Sequence, residues 1–100
     1  MNTILIAATV GDFAEDKDAA ARLRRGQLLP SLNAGNSVEL DFSGVSLTTQ
    51  SFIHALISEA LRVHGEMALD RIRFKSCEPA VKDIIQTVVQ YVLESREDDA

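Results

Sequence analysis

Three times along this chain a short apolar stretch of strand length gives way to a longer segment whose apolar residues return with the helical period. That alternation constrains the fold most, because strand, helix and strand in succession close into a parallel sheet through a right-handed crossover. The first stretch, Thr3 to Thr9, is nearly continuously apolar and ends at Gly11-Asp12, the pattern of a strand buried on both faces. The second, Val38-Glu39-Leu40-Asp41-Phe42, alternates apolar and acidic side chains after the turn cluster Asn33-Ala34-Gly35-Asn36, as a strand with one buried face does. In the third, Ile72 and Phe74 alternate with Arg71, Arg73 and Lys75, which reads as a half-exposed strand with a basic outer face.

The intervening segments read as helices. Asp16 and Asp18 precede an Ala-rich stretch that carries Arg22, Arg24 and Arg25 towards its end, the charge order a helix dipole favours. Its continuation through Leu28, Leu29 and Leu32 meets Gly26 and Pro30, so a kink or a break is expected there. Ile53, Leu56, Ile57, Ala60 and Leu61 share one face of a second helix from about Thr48 to His64, with Thr48 or Thr49 as N-cap and Gly65 as the stop. Pro79 opens a third helix, whose stripe runs from Val81 through Ile84, Ile85, Val88 and Val92 to Leu93,. The order β-α-β-α-β-α predicts a small α/β domain with a mostly parallel sheet of three or four strands and helices packed mainly on one face.

Composition places limits on function. One hundred residues, 46% of them apolar, suffice for one packed domain,, expected over residues 1–93, with an acidic, frayed tail over 94–100. A net charge of −5 argues against a nucleic-acid phosphate backbone as partner. No stretch approaches the roughly 20 apolar residues that cross a bilayer, and the start of the chain lacks a secretory pattern. The lone Cys77 cannot form an internal disulfide, so a cytoplasmic setting is expected.

Leu40-Asp41-Phe42-Ser43-Gly44-Val45, followed four residues later by Gln50-Ser51-Phe52, resembles the strand-loop-helix core of STAS domains, and most closely the STAS-like family of unknown function. Cys77-Glu78-Pro79-Ala80-Val81-Lys82 is similar to the turn into the later helix of anti-sigma-factor antagonists. With the element order between them, the resemblance spans about Ile4 to Leu93, its first third in outline only. It implies a non-catalytic, bacterial regulatory module whose loop before the middle helix, and that helix's first turn, dock on a kinase-like ATPase. It also implies a serine there whose phosphorylation breaks the complex.

Placing Asp41 on the family's strand aspartate puts Ser51 at the phosphoacceptor position. The implied partner surface then comprises Asp41, Ser46, Thr48, Thr49, Gln50, Ser51 and Phe52. This chain has Thr49-Gln50-Ser51-Phe52 where the antagonists carry an Asp-Ser-Ser-Gly type of sequence, so the aspartate and the glycine are absent. The arginine that the STAS-like group often has at the start of its first helix falls on Asp18, with Arg22 nearest.

The same residues support plainer readings. Asp41 at a strand end is suited to capping the following loop through its backbone more than to acid-base catalysis. His54 and His64 lie about 15 Å apart along their helix and cannot share a metal. Cys77 has no resolving partner, and the three arginines suit a solvated helix face as well as an acidic partner. No cofactor or metal is expected. The rival functions are a self-associating structural domain, forming a homodimer through a sheet edge or the third helix, and a small enzyme using Asp41 with His54 or Cys77.

Overall fold

The computed structural model describes residues 2–98. Its main sheet has three parallel strands in the order β1 (Asn2–Leu5), β3 (Val38–Asp41), β5 (Ile72–Lys75). A second, two-stranded parallel ribbon pairs β2 (Phe13–Ala14) with β4 (Leu47–Thr48). Strands this short carry no period of their own, which is why the ribbon escapes a reading of the sequence. The helices are α1 (Ile6–Val10), α2 (Lys17–Leu23), α3 (Leu29–Asn33), α4 (Gln50–His64), α5 (Met67–Arg71) and α6 (Pro79–Asp98). The α/β class with parallel sheets, expected from the alternation, is the one observed.

Register sorts the main sheet into two faces. Ile4, Leu40 and Phe74 align across it, as do Asn2, Val38 and Ile72. From these rows Ile4, Val38, Leu40 and Ile72 enter the core, with Phe74 half-buried. They meet Phe52, Ile53, Leu56 and Ile57 of α4 and Val81, Ile85 and Val88 of α6. Thr3, Leu5, Arg73 and Lys75 on the other face are exposed, so helices cover one side only. The basic outer face expected of β5 is present, and the Lys75 ammonium lies 3.8 Å from the Glu39 carboxylate on the neighbouring strand.

Two expectations for the first third are corrected. The apolar run from Thr3 does not stay extended to Thr9: β1 ends at Leu5, the register partner of Asp41 where β3 itself ends, and Ile6–Val10 then turns helical. Nor is β1 buried on both faces, since only Ile4 of its four residues is buried. A short continuous apolar run does not distinguish a buried strand from a buried helical turn.

The first long helix neither breaks nor ends at Gly26. Asp16 caps it, its Oδ1 accepting from the backbone N–H groups of Asp18 (2.9 Å) and Ala19 (3.3 Å). A π turn at Arg24–Leu28 then carries the chain into α3, with the Leu29 N–H bonded to the Arg24 carbonyl. The wider turn lies just ahead of Pro30, where a regular α turn would drive the pyrrolidine ring against the Gly26 carbonyl. At the other end of the chain α6 continues past Leu93 to Asp98, into the segment expected to be a frayed tail. Residues 99 and 100 of that segment lie outside the described residues.

Candidate functional site

The loop between β3 and α4 is strapped down along its length. The Asp41 Oδ1 accepts from the Ser43 N–H at 2.9 Å, and the Val45 N–H closes a turn on the Phe42 carbonyl. Gly44 sits at φ 84°, a conformation that costs a residue with a Cβ roughly 1–2 kcal/mol. The Ser46 N–H and Oγ and the Leu47 N–H all donate to the Asp12 carbonyl. Thr48 Oγ1 (2.8 Å) and the Thr49 N–H (3.2 Å) both donate to the Ala14 carbonyl. The β2–β4 ribbon is therefore the clamp that presents this loop.

Of the two N-cap candidates, Thr49 is the cap of α4. Its Oγ1 accepts from the Phe52 N–H at 3.1 Å, and its carbonyl accepts from the Ile53 N–H. Thr48 instead spends its hydroxyl on the ribbon.

This geometry divides the seven residues implied as a partner surface. Ser46, Gln50 and Ser51 are exposed, while Thr48 and Thr49 are half-buried and engaged in the ribbon and the cap. Phe52 is fully buried among core residues, so its place in the surface set is corrected: once Thr49 caps the helix, its position in the first turn points into the core. Asp41, 9% exposed, acts as the loop cap that its strand-end position suggested. The Ser43 hydroxyl and N–H hold its carboxyl below the usual carboxylate range, and Lys75 adds a smaller attraction against the opposing effect of burial.

Two residues absent from that set are exposed beside it. Phe13 and Leu47 are register partners on the ribbon, and they remain 43% and 53% exposed while the next pair turns inward, with Ala14 buried and Thr48 half-buried. An exposed aromatic-aliphatic pair one residue from Ser46 is the kind of apolar anchor that interfaces are built around. The only signal in the sequence was a pair of large apolar side chains beside turn residues.

Ser51 opens onto a groove of about 390 Å³ between three helices. Lys17 contributes from the start of α2, Gln50, Ser51, His54 and Ala55 from α4. Thr87, Val88 and Tyr91 close it from α6.

His54 and Cys77, two of the groups a small enzyme would use, line different hollows. His54 lines this groove, whereas Cys77 lines a second hollow of about 300 Å³ with Phe74, Lys82, Ile85 and Gln86. Asp41 lines neither of these two cavities. Partial burial raises the pKa of the Cys77 thiol, opposed by the charge of Lys82, and the ordinary thiol range already lies above neutrality. His64 is taken up by Asn33 Oδ1 at 3.1 Å. Among the described residues no group of His, Cys, Asp or Glu has the arrangement of a metal site, and no helix is long and apolar enough to cross a membrane.

Of the three arginines, Arg22 and Arg25 are exposed. Arg24 instead turns towards α4, where its Nη1 donates to the Ala55 carbonyl at 2.8 Å.

In a comparison with known families, residues 19–82 fit the model of the STAS-like domain of unknown function (DUF4325). The matched span runs from the first residues of α2 through Ser51 to the first turn of α6, and leaves Phe13, Lys17 and Tyr91 outside it. Searches of curated proteins and of solved structures return no match.

Proposed function

The chain belongs to the STAS-like domain family of unknown function, and from that membership we propose that it is a non-catalytic regulatory module that docks on a partner protein. The docking surface is the β2–β4 ribbon with the exposed start of α4: Phe13 and Leu47 as apolar anchors, Ser46, Gln50 and Ser51 as the polar rim. The observation that carries this reading is the exposure of the Phe13–Leu47 pair on a loop otherwise pinned by hydrogen bonds to Asp12 and Ala14. A rigid loop presenting apolar area loses little conformational entropy on docking.

The partner on this reading is a kinase-like ATPase, as the resemblance to anti-sigma-factor antagonists implies, and Ser51 is the switch. Ser51 is exposed in the first turn of α4, where unpaired backbone N–H groups and the helix dipole accommodate a phosphate. A phosphoryl group adds nearly two negative charges beside the apolar pair, which would disfavour an apolar or acidic partner surface.

Capture from native cell extract tests the reading, with wild type, Ser51→Glu and the Phe13→Ser/Leu47→Ser double variant as baits and mass spectrometry as the readout. A kinase-like ATPase held by wild type and lost by both variants is the expected result. Equal retention by wild type and Ser51→Glu removes the switch, and equal retention by the double variant removes the docking surface.

A further inference from the structure

Beyond docking of a protein, we propose that the groove between α2, α4 and α6 binds a small organic molecule carrying an aromatic ring and an anionic group. Its volume, about 390 Å³, lies within the range of small-molecule sites, and its make-up follows theirs: an apolar floor with a few convergent polar groups. Val88 and Ala55 supply the floor, and the Tyr91 ring, 62% exposed, stands beside it as a surface on which a second ring can stack.

The charge of the lining sets the sign of the ligand. The groove has a lysine and no carboxylate in a chain whose net charge is −5. Asp16, which precedes Lys17, is turned to the backbone of Asp18 and Ala19 by its capping role, and Asp18, which follows Lys17 on α2, is not among the lining residues. Lys17 therefore lines the groove without a competing carboxylate from the same lining. The positive end of the α4 dipole lies on the same side, at Gln50 and Ser51,.

Lys17, Gln50, Ser51, His54 and Tyr91 form no side-chain hydrogen bond or ion pair with the other described residues. Their donors are therefore available to a ligand. A ring laid between Tyr91 and Val88, with its anionic group directed to Lys17 and the Ser51 hydroxyl, would use both parts of the lining.

The test is a titration of the ¹⁵N-labelled full chain followed by heteronuclear NMR, with phenyl phosphate as probe and inorganic phosphate and benzylamine as controls. Phenyl phosphate is expected to shift the amide signals of Ser51, His54 and Val88 saturably, with the weak affinity of so small a probe, and more tightly than either control. Lys17→Glu and Tyr91→Ala alter exposed side chains and are each expected to weaken binding by about fivefold or more. Absence of saturable shifts in the groove, equal binding of benzylamine, or full affinity in Lys17→Glu overturns the proposal. A phosphotyrosyl peptide that binds much more tightly than phenyl phosphate would assign the groove to a partner's side chain and overturn it too. None of these readouts uses the kinase-like partner or the Phe13–Leu47 pair, so the docking reading stands or falls separately.

Discussion

Arg24 and Ala55 are joined across the helical layer: the guanidinium Nη1 at the head of the π turn donates to the Ala55 carbonyl in the second turn of α4 at 2.8 Å. Ala55 also lines the groove, so this bond ties the irregular part of the first helical segment to the wall of the candidate site. The Arg24 Nε is buried without a partner, an opposing cost. Arg24→Ala is expected to destabilise the fold by about 1–2 kcal/mol in urea unfolding. Arg24→Met, which keeps the apolar stem and removes the orphaned donor, is expected to lose less. Equal losses would show that the stem contributes nothing.

The cap at Thr49 sets where α4 starts and thereby which side chains face outward. Thr49→Ala should cost about 1 kcal/mol, and Thr49→Ser only a few tenths. The check is the shift in urea midpoint at unchanged slope.

Gly44 holds the loop at φ 84° with its open side towards Ala7, whose Cβ would lie 3.5 Å from an added Cβ. Space is adequate there, so the penalty is conformational. Gly44→Ala is expected to destabilise by about 1–2 kcal/mol, read in the same unfolding assay.

Asp41 links the loop to pH. Its carboxyl is held below the ordinary value by Ser43 and Lys75, so its contribution is fully present above the unfolded-state value near 4 and is lost as pH falls through the lower folded-state value. Asp41→Asn should therefore be less stable than wild type near neutrality, with the difference shrinking in acid. Urea midpoints measured from about pH 6 down to about pH 2 follow that window, and a difference that does not change with pH would contradict it.

Cys77 runs the other way. Its raised pKa keeps the thiol neutral, so its contribution is fully present below the unfolded-state thiol range and is lost as pH rises through the folded-state value. Iodoacetamide at neutral pH should label the native chain more slowly than the urea-unfolded chain, because the thiolate is the nucleophile. Equal rates would show that the thiol is not shielded.

Much of the fold was legible in the chain. Val38–Asp41 and Gln50–His64 carry their periods in their own residues, and Gly65, at φ 65°, ends α4 where it was expected. Ser51 as an exposed first-turn residue followed from the helix start. Phe52 did not, because helical phase relative to the core depends on which threonine takes the cap, and Thr48 and Thr49 are equivalent until the ribbon claims one of them.

By itself the sequence determined the alternation of strands and helices, the parallel sheet and the apolar faces, since these follow from side-chain periods within single segments. Only the tertiary structure decided that the run after Leu5 turns helical, that a π turn carries the chain past Gly26 to Pro30, that Phe13 meets Leu47, and that Lys17, His54 and Tyr91 share a groove. Those relationships join residues from separate elements, or depend on where a neighbouring strand stops, and no local pattern encodes a partner that lies thirty or more residues away.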